Sequence, residues 1–251
     1  MALSLNIGKS TNLGNYRENN EDSVEVKTFP DTGLSVSVVA DGMGGQAAGE
    51  IASKRAVEII PRELRKTLTA GVNAEAAKVM IRRSIVQANE EIIAMGQLDK
   101  EMKNMGTTVV SAVWRKGGEM YVTGVGDSRV YLIRARKITQ LTVDHSLAQA
   151  LVEAKTISAA EAKDHKFRNV LWKYLGSKEV GDGPDVAVVP IQAGDRFLLC
   201  TDGLHGVVVD EKLLQFCGGQ PEAQSCADGL VQLALESGSR DNVSCVVIDV
   251  V

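Results

Sequence analysis

Residues 35–53 read SVSVVADGMGGQAAGEIAS, and the reading of this stretch decides the fold. The run up to Ala40 is rich in β-branched residues and stops at glycines, as a buried strand does when it ends in a turn. Asp41 stands at that end. Gly42, Gly44 and Gly45 have no Cβ, so the backbone can turn sharply there and other atoms can come close. From Gln46 onward, alanines and an isoleucine at helical spacing lead the chain away. The stretch predicts a strand, a carboxylate, an open loop and a helix, in that order.

Two chemistries suit this pattern. Gly42-Met43-Gly44-Gly45-Gln46-Ala47 fits the relaxed G-x-G-x-x-A dinucleotide fingerprint between a strand and a helix. Asp41 opposes that reading, because its carboxylate would face the pyrophosphate, and two like charges about 4 Å apart repel by about 4 kcal/mol at an effective dielectric of about 20. The fingerprint also requires a second strand ending in an acid about 20 residues on, whereas helical periodicity here continues to about Met95. The other reading makes Asp41 a metal ligand, and it needs partners.

Upstream, residues 3–11 alternate as a first strand, and Asn12-Leu13-Gly14-Asn15 makes a turn. Arg17-Glu18-Asn19-Asn20-Glu21-Asp22 follows, a polar run that in isolation is a solvated loop. Residues 23–29 and 34–40 form two strands joined through Pro30-Asp31-Thr32-Gly33, which makes their pairing antiparallel and argues against an all-parallel sheet. Downstream, Ala48, Ala52, Ala56, Ile60, Leu64 and Leu68 recur every fourth position, with Pro61 expected to kink or divide the helix. Asn73 caps a second helix that carries Ala77, Ile81, Ile85, Ala88 and Ile92 on one face, and the two helices form an antiparallel pair on a sheet.

From Gly106 the period changes to two. Residues 107–115, 119–125, 128–134 and 138–142 read as an antiparallel meander, interrupted by Asp127 at a strand end; taken alone, this is a turn aspartate. Residues 144–182 are polar and locally helical, with a capping box at Ser158-Ala159-Ala160-Glu161, and read as a mobile lobe at the rim. Strands resume at 186–190 and 195–201, the latter running into Asp202-Gly203. Helices cover 210–217 and 221–236, with Pro221 in a first turn, and a last strand follows Asp241-Asn242.

Composition limits the function. The chain has 251 residues, 44% of them hydrophobic, with a formal net charge of -4, so it can build a large core and shows no basic footprint for nucleic acid or an anionic membrane. It has neither a membrane-length apolar run nor a leader pattern, which predicts a cytoplasmic protein. The four cysteines, Cys200, Cys217, Cys226 and Cys245, lack C-x-x-C spacing and read as buried thiols; none has an arginine six residues on, as a cysteine phosphatase loop requires. The three histidines, His145, His165 and His205, are too dispersed for a histidine metal cluster.

The acids remain. Asp41, Asp127 and Asp202 each close an apolar strand, Asp241 opens one, and Glu21 can join them from the first loop. If those strands are neighbours, carboxylates within about 5 Å of one another repel by several kcal/mol unless protonated or neutralised. Oxygen-only donors favour Mg²⁺ or Mn²⁺ over zinc, and a pair of such ions about 3.5–4 Å apart can activate a water for attack on a phosphate. Arg17 would then bind phosphate oxygens through its planar guanidinium, or serve as a plain salt bridge.

In order along the chain, Arg17 with Glu21-Asp22, Asp41-Gly42-Met43-Gly44-Gly45, Gly106-Thr107-Thr108, Gly126-Asp127-Ser128-Arg129, Leu141-Thr142 with Asp144-His145-Ser146, Cys200-Thr201-Asp202-Gly203-Leu204 and Asp241-Asn242 resemble the metal-dependent protein serine/threonine phosphatases of the protein phosphatase 2C type. The resemblance implies an α+β fold: a four-layer α-β-β-α sandwich of two antiparallel sheets between helix pairs, one domain over residues 1–251 with a flap at about 146–178. It implies two Mn²⁺ or Mg²⁺ ions, with Asp41 bridging both, Glu21 and the Gly42 carbonyl on one, Asp202 and Asp241 on the other, and Asp22 supporting them. Asp127 with Asp202 matches the place where bacterial-type members hold a third ion. The implied reaction is hydrolysis of phosphoserine and phosphothreonine by metal-activated water, with Arg17 on the phosphate. The implied partners are phosphoproteins made by serine/threonine kinases, and the implied state is a monomer. Two positions depart from the family pattern: Met43 stands where some eukaryotic relatives have a histidine acid, and His205 stands where an aromatic residue is common and reads as a rim variation.

Overall fold

The computed structural model describes residues 3–44, 48–69 and 71–251. Gly45, Gln46 and Ala47, the tail of the dinucleotide-like run, lie outside them. The strands are β1 (Leu5–Asn12), β2 (Asp22–Phe29), β3 (Leu34–Met43), β4 (Gly106–Thr107), β5 (Val109–Arg115), β6 (Met120–Val125), β7 (Arg129–Arg134), β8 (Lys137–Gln140), β9 (Val186–Val189), β10 (Arg196–Cys200) and β11 (Val243–Val250). The helices are α1 (Ala48–Thr67), α2 (Ala74–Leu98), α3 (Leu147–Glu153), α4 (Ala159–Lys163), α5 (Asp202–His205), α6 (Asp210–Gly219) and α7 (Ala223–Glu236).

One sheet has the order β1-β11-β10-β7-β8; the other runs β2-β3-β5-β6-β9, with β4 attached to β3. Every pairing is antiparallel. The side-chain period of two divides the core into three layers. On β3, Val36, Val38 and Ala40 face Ala52, Ala56, Ile60, Ile81 and Ile85 of α1 and α2, while Val39 faces Phe197, Leu199 and Val246 of the opposite sheet. A third cluster packs Leu198, Cys200 and Val247 against Leu213, Cys226 and Leu230 of α6 and α7. The result is the α-β-β-α sandwich, and Asn73 caps α2 as its side chain accepts from the Ala76 amide.

Four local expectations change. α1 runs through Pro61 without dividing, because the proline ring is itself buried and the apolar face continues past it to Leu64. The supposed meander is two hairpins in different sheets: β5 and β6 pair in one, β7 and β8 in the other. The chain crosses between the sheets at Gly126-Asp127-Ser128, where Gly126 adopts φ +100°, a conformation that strongly favours glycine. β3 continues past Asp41 to Met43, because β4 extends the ladder on one side. Pro221 precedes the N-cap residue Glu222 of α7 instead of lying in the first turn.

In residues 144–182, which carry α3 and α4, a bridge between Ser146 and Leu171 closes the lobe on itself and one between Leu175 and Thr107 of β4 joins it to the body. The Ser158–Glu161 capping box is closed in both directions. Among the described residues no helix is long and apolar enough to cross a membrane.

Candidate metal centre

The strand register brings the acids together. Asp22 and Asp41 lie directly opposite each other on β2 and β3, where two like charges destabilise a sheet unless something compensates. By the same period that sends Val39 between the sheets, Asp41 faces that interior while Gly42 turns toward α1. Asp202 begins α5, just after β10 ends with Thr201 as its N-cap, and Asp241 lies just before β11, the neighbour of β10. Acids from both sheets therefore meet at one end of the sandwich.

Their electrostatics record the crowding. Burial, then the neighbouring Asp22, Asp202, Asp127 and Asp241, raise the Asp41 carboxyl well above the usual carboxylate range. Burial and Asp241 raise Asp202, against a hydrogen bond from Asp41. Asp22 is pushed up to about 7 by burial, although Ser244 and Thr201 bond to it, and Asp127 is pushed up to about 8 by burial and then by Asp202 and Asp144. Glu21 is raised chiefly by burial. Two buried oxygens, Glu21 Oε1 and Asp22 Oδ1, have no hydrogen-bond partner, and such atoms are uncommon in folded proteins.

Among the described residues no three His, Cys, Asp or Glu side chains are gathered into a ready-made cage. The donor set is more open, and it fits hard divalent ions, which accept backbone carbonyls and water alongside carboxylates. The unpaired oxygens and mutually repelling, desolvated acids are what such cations would satisfy.

The surrounding backbone is tightly held. The Asp41 amide donates to Thr108 Oγ1 at 2.9 Å, and the Asp41 carbonyl accepts from the Thr108 amide at 2.8 Å and Thr107 Oγ1 at 2.9 Å. Thr108 Oγ1 lies 2.7 Å from Ser128 Oγ, which ties β5 to the crossing beside Asp127. Thr201 Oγ1 donates to Asp22 Oδ2 at 3.0 Å and accepts from the Ser244 amide at 3.1 Å. The loop bearing Arg17 and Glu21 is clamped by Asn242, whose Oδ1 accepts from the Glu21 amide at 2.8 Å and whose Nδ2 donates to the Leu13 and Asn19 carbonyls at 2.8 and 3.0 Å.

Arg17 lies at the rim, exposed, and its Nη2 donates to Asp241 Oδ2 at 2.7 Å. The salt bridge weighed from sequence is thus present. Met43 ends β3 half-buried and has no proton to offer. His205 Nε2 lies 2.9 Å from the Asp127 carbonyl; since a carbonyl only accepts, Nε2 carries the hydrogen. Burial and the Arg129 charge push His205 down to about 3, so it stays neutral and fixes the backbone at Asp127. Arg129 in turn makes a forked pair with Asp144, Nε to Oδ1 at 3.0 Å and Nη2 to Oδ2 at 2.7 Å.

Sequence reasoning missed two supporting residues. A Cβ at Gly49, in the first turn of α1, would collide with Glu21 Oε1, and one at Gly42 would collide with the Gly49 carbonyl. Ser53 Oγ donates to the Glu21 carbonyl at 2.6 Å. The available signals were a glycine at the start of a helix and a serine within its apolar face.

A family model for protein phosphatase 2C matches residues 15–231. The serine/threonine phosphatase stp of Listeria monocytogenes is 33% identical over 239 residues, covering 95% of this chain and 93% of that protein. The crystal structure of Stp1, a serine/threonine phosphatase from Staphylococcus aureus, superposes with a TM-score of 0.86 at 32% identity, covering 98% of this chain and 95% of that one. The catalytic domain of the serine/threonine protein phosphatase PstP, crystallised with two manganese ions, gives a TM-score of 0.84 at 32% identity, covering 99% of each chain.

Proposed function

Because the chain belongs to the protein phosphatase 2C family, we propose that it hydrolyses phosphoserine and phosphothreonine in proteins, with the acids around Asp41 holding two Mn²⁺ or Mg²⁺ ions. Asp41 would be shared by both ions, Glu21 and the Gly42 carbonyl would hold one, Asp202 and Asp241 the other, and Asp22 would support them from behind. Asp127 with Asp202 would hold a third. The observation that carries this reading is the convergence of raised, desolvated carboxyls with the unpaired Glu21 Oε1 and Asp22 Oδ1.

When bound, such ions supply Lewis acidity and a water nucleophile usable at neutral pH. The chain's own groups do the rest. Arg17, anchored on Asp241 through one nitrogen, keeps the remaining donors of its fork for the phosphate oxygens of the substrate. The Asn242 clamp holds Arg17 and Glu21 in one loop, so phosphate and metal are positioned together. Neither Met43 nor the neutral His205 delivers a proton to the leaving hydroxyl, which takes it from water. Residues 146–178 act as a flap beside the centre. The substrates are phosphoproteins, which the serine/threonine phosphatases it resembles support; we read them as products of serine/threonine kinases and the enzyme as a monomer in the cytoplasm.

The test is hydrolysis of a phosphothreonine peptide by the purified chain in Mn²⁺. Turnover is expected to stop with chelator and to return when metal is restored. Turnover that persists in chelator would refute the assignment.

A further inference from the structure

The phosphatase reading leaves the cysteines unused. Cys217, near the end of α6, and Cys226, in the first turns of α7, have their Sγ atoms 3.8 Å apart in thiol–thiol contact. Both are buried, at 3% and 0% exposure. Arg196 sits against them: it pairs with Asp249 through Nε and Nη2, and its Nη1 donates to the carbonyls of Cys217 and Gln220 at the end of α6. A fixed cation beside two thiols favours the thiolate, the form that reacts. From the geometry we infer that Cys217 and Cys226 form an oxidisable pair, a modification site at the α6–α7 corner that hydrogen peroxide closes into a disulfide.

The local chain permits closure. A disulfide requires the sulfurs to move from 3.8 Å to about 2.05 Å. Cys217 is followed by Gly218 and Gly219, both exposed and with nothing near the place a Cβ would occupy. Closure takes a small shift of this helix end, which the two glycines leave sterically open. The thiol–thiol contact first and the Arg196 charge next draw Cys226 below the usual thiol range, against burial, whereas the same contact and burial push Cys217 up. Cys226 is thus the attacking sulfur. Burial pushes Cys245 and Cys200 the opposite way.

The chemistry balances. The Cys226 thiolate attacks one peroxide oxygen, the O–O bond breaks, and the departing hydroxide takes up the thiol proton as water, leaving a sulfenic acid. The Cys217 sulfur then attacks Cys226 Sγ, the S–O bond breaks, and hydroxide leaves with the Cys217 proton as a second water. Two thiols lose two electrons and one peroxide becomes two waters.

Trypsin reads the result directly, because residues 213–240 contain no lysine or arginine before Arg240 and carry both cysteines on one peptide, with Cys245 on the next. The folded protein is treated with hydrogen peroxide, its free thiols are blocked in acid, and it is digested without reductant. The expected result is peptide 213–240 lighter by two hydrogens and unalkylated. Cleavage at Glu222 should leave the two halves joined until dithiothreitol separates them. Cys226→Ser should abolish the mass loss, and Cys245→Ser should keep it. The inference is overturned if both thiols stay alkylatable after peroxide, if either stops at sulfenic or sulfinic acid, or if 213–240 is linked to 241–251. The wild-type masses alone decide the matter if a serine variant does not fold.

Discussion

At the scale of single residues, Asp41 is held where the proposed metal centre needs it and stability does not. It lies opposite Asp22 in the ladder and against Asp202, so its charge is opposed from two sides. Asp41→Asn should therefore have opposite effects on two measurements. Turnover of a phosphothreonine peptide should fall by about 10²–10³-fold, the scale of losing one preorganised electrostatic group. In chelator at neutral pH, the same variant should melt above the wild type, because no buried carboxyl has to take up a proton on folding. Gly49→Ala tests the support from α1: the added methyl would displace the Glu21 carboxylate, and a titration should show weaker Mn²⁺ binding with far-ultraviolet circular dichroism unchanged. Arg17→Ala should lower kcat/KM by about 10–100-fold, the value of one or two hydrogen bonds to a charged group. Arg17→Lys should recover little of that, since an ammonium cannot reproduce the guanidinium fork.

At the scale of elements, the clamp between the first loop and the start of β11 is the joint to test. Asn242→Ala would leave the Glu21 amide and the Leu13 and Asn19 carbonyls without partners, and urea unfolding should show a loss of about 1–3 kcal/mol. Such joints explain what could be read in the sequence. The helix pair was legible because Ala77, Ile81, Ile85, Ala88 and Ile92 repeat at helical spacing and all of them are buried. The strands were legible from their period of two, but that period does not say which sheet a strand joins. Both hairpins around Asp127 carry the same pattern, and only the positive φ at Gly126 separates them. Asp41 looked like the end of a strand because glycines follow it; β4, only Gly106–Thr107, is too short to carry a pattern, yet it extends β3 to Met43. Asp41, Asp127, Asp202 and Asp241 stood out in the sequence because each sits beside a glycine or at an end of an apolar run, whereas Glu21 and Asp22 lie in a polar run and entered only through that run and the family resemblance. Gly49 and Ser53 could not be picked out, because their work is to leave room for the side chain, and to bond the backbone carbonyl, of Glu21, more than two dozen positions away.

For the whole molecule, the acid cluster links folding to metal. Ions that bind only the folded chain add stability by mass action, about 2.7 kcal/mol at a hundred times Kd. At about 2–4 °C per kcal/mol for a chain of roughly this size, saturating Mn²⁺ should raise the melting midpoint by about 5–10 °C, and chelator should reverse it, as scanning calorimetry would record. The sheet order has a further consequence. β11 lies between β1 and β10, and the Ser4 and Val251 backbones bond to each other, so the first and last strands are neighbours. During translation, β1 leaves the ribosome before β11 and waits for that partner until β11 has been made, a contact of large sequence separation and of a kind slow to form. Asp241 and Asn242 arrive with that late strand. A nascent polypeptide therefore has no complete acid cluster until β11 slots into place.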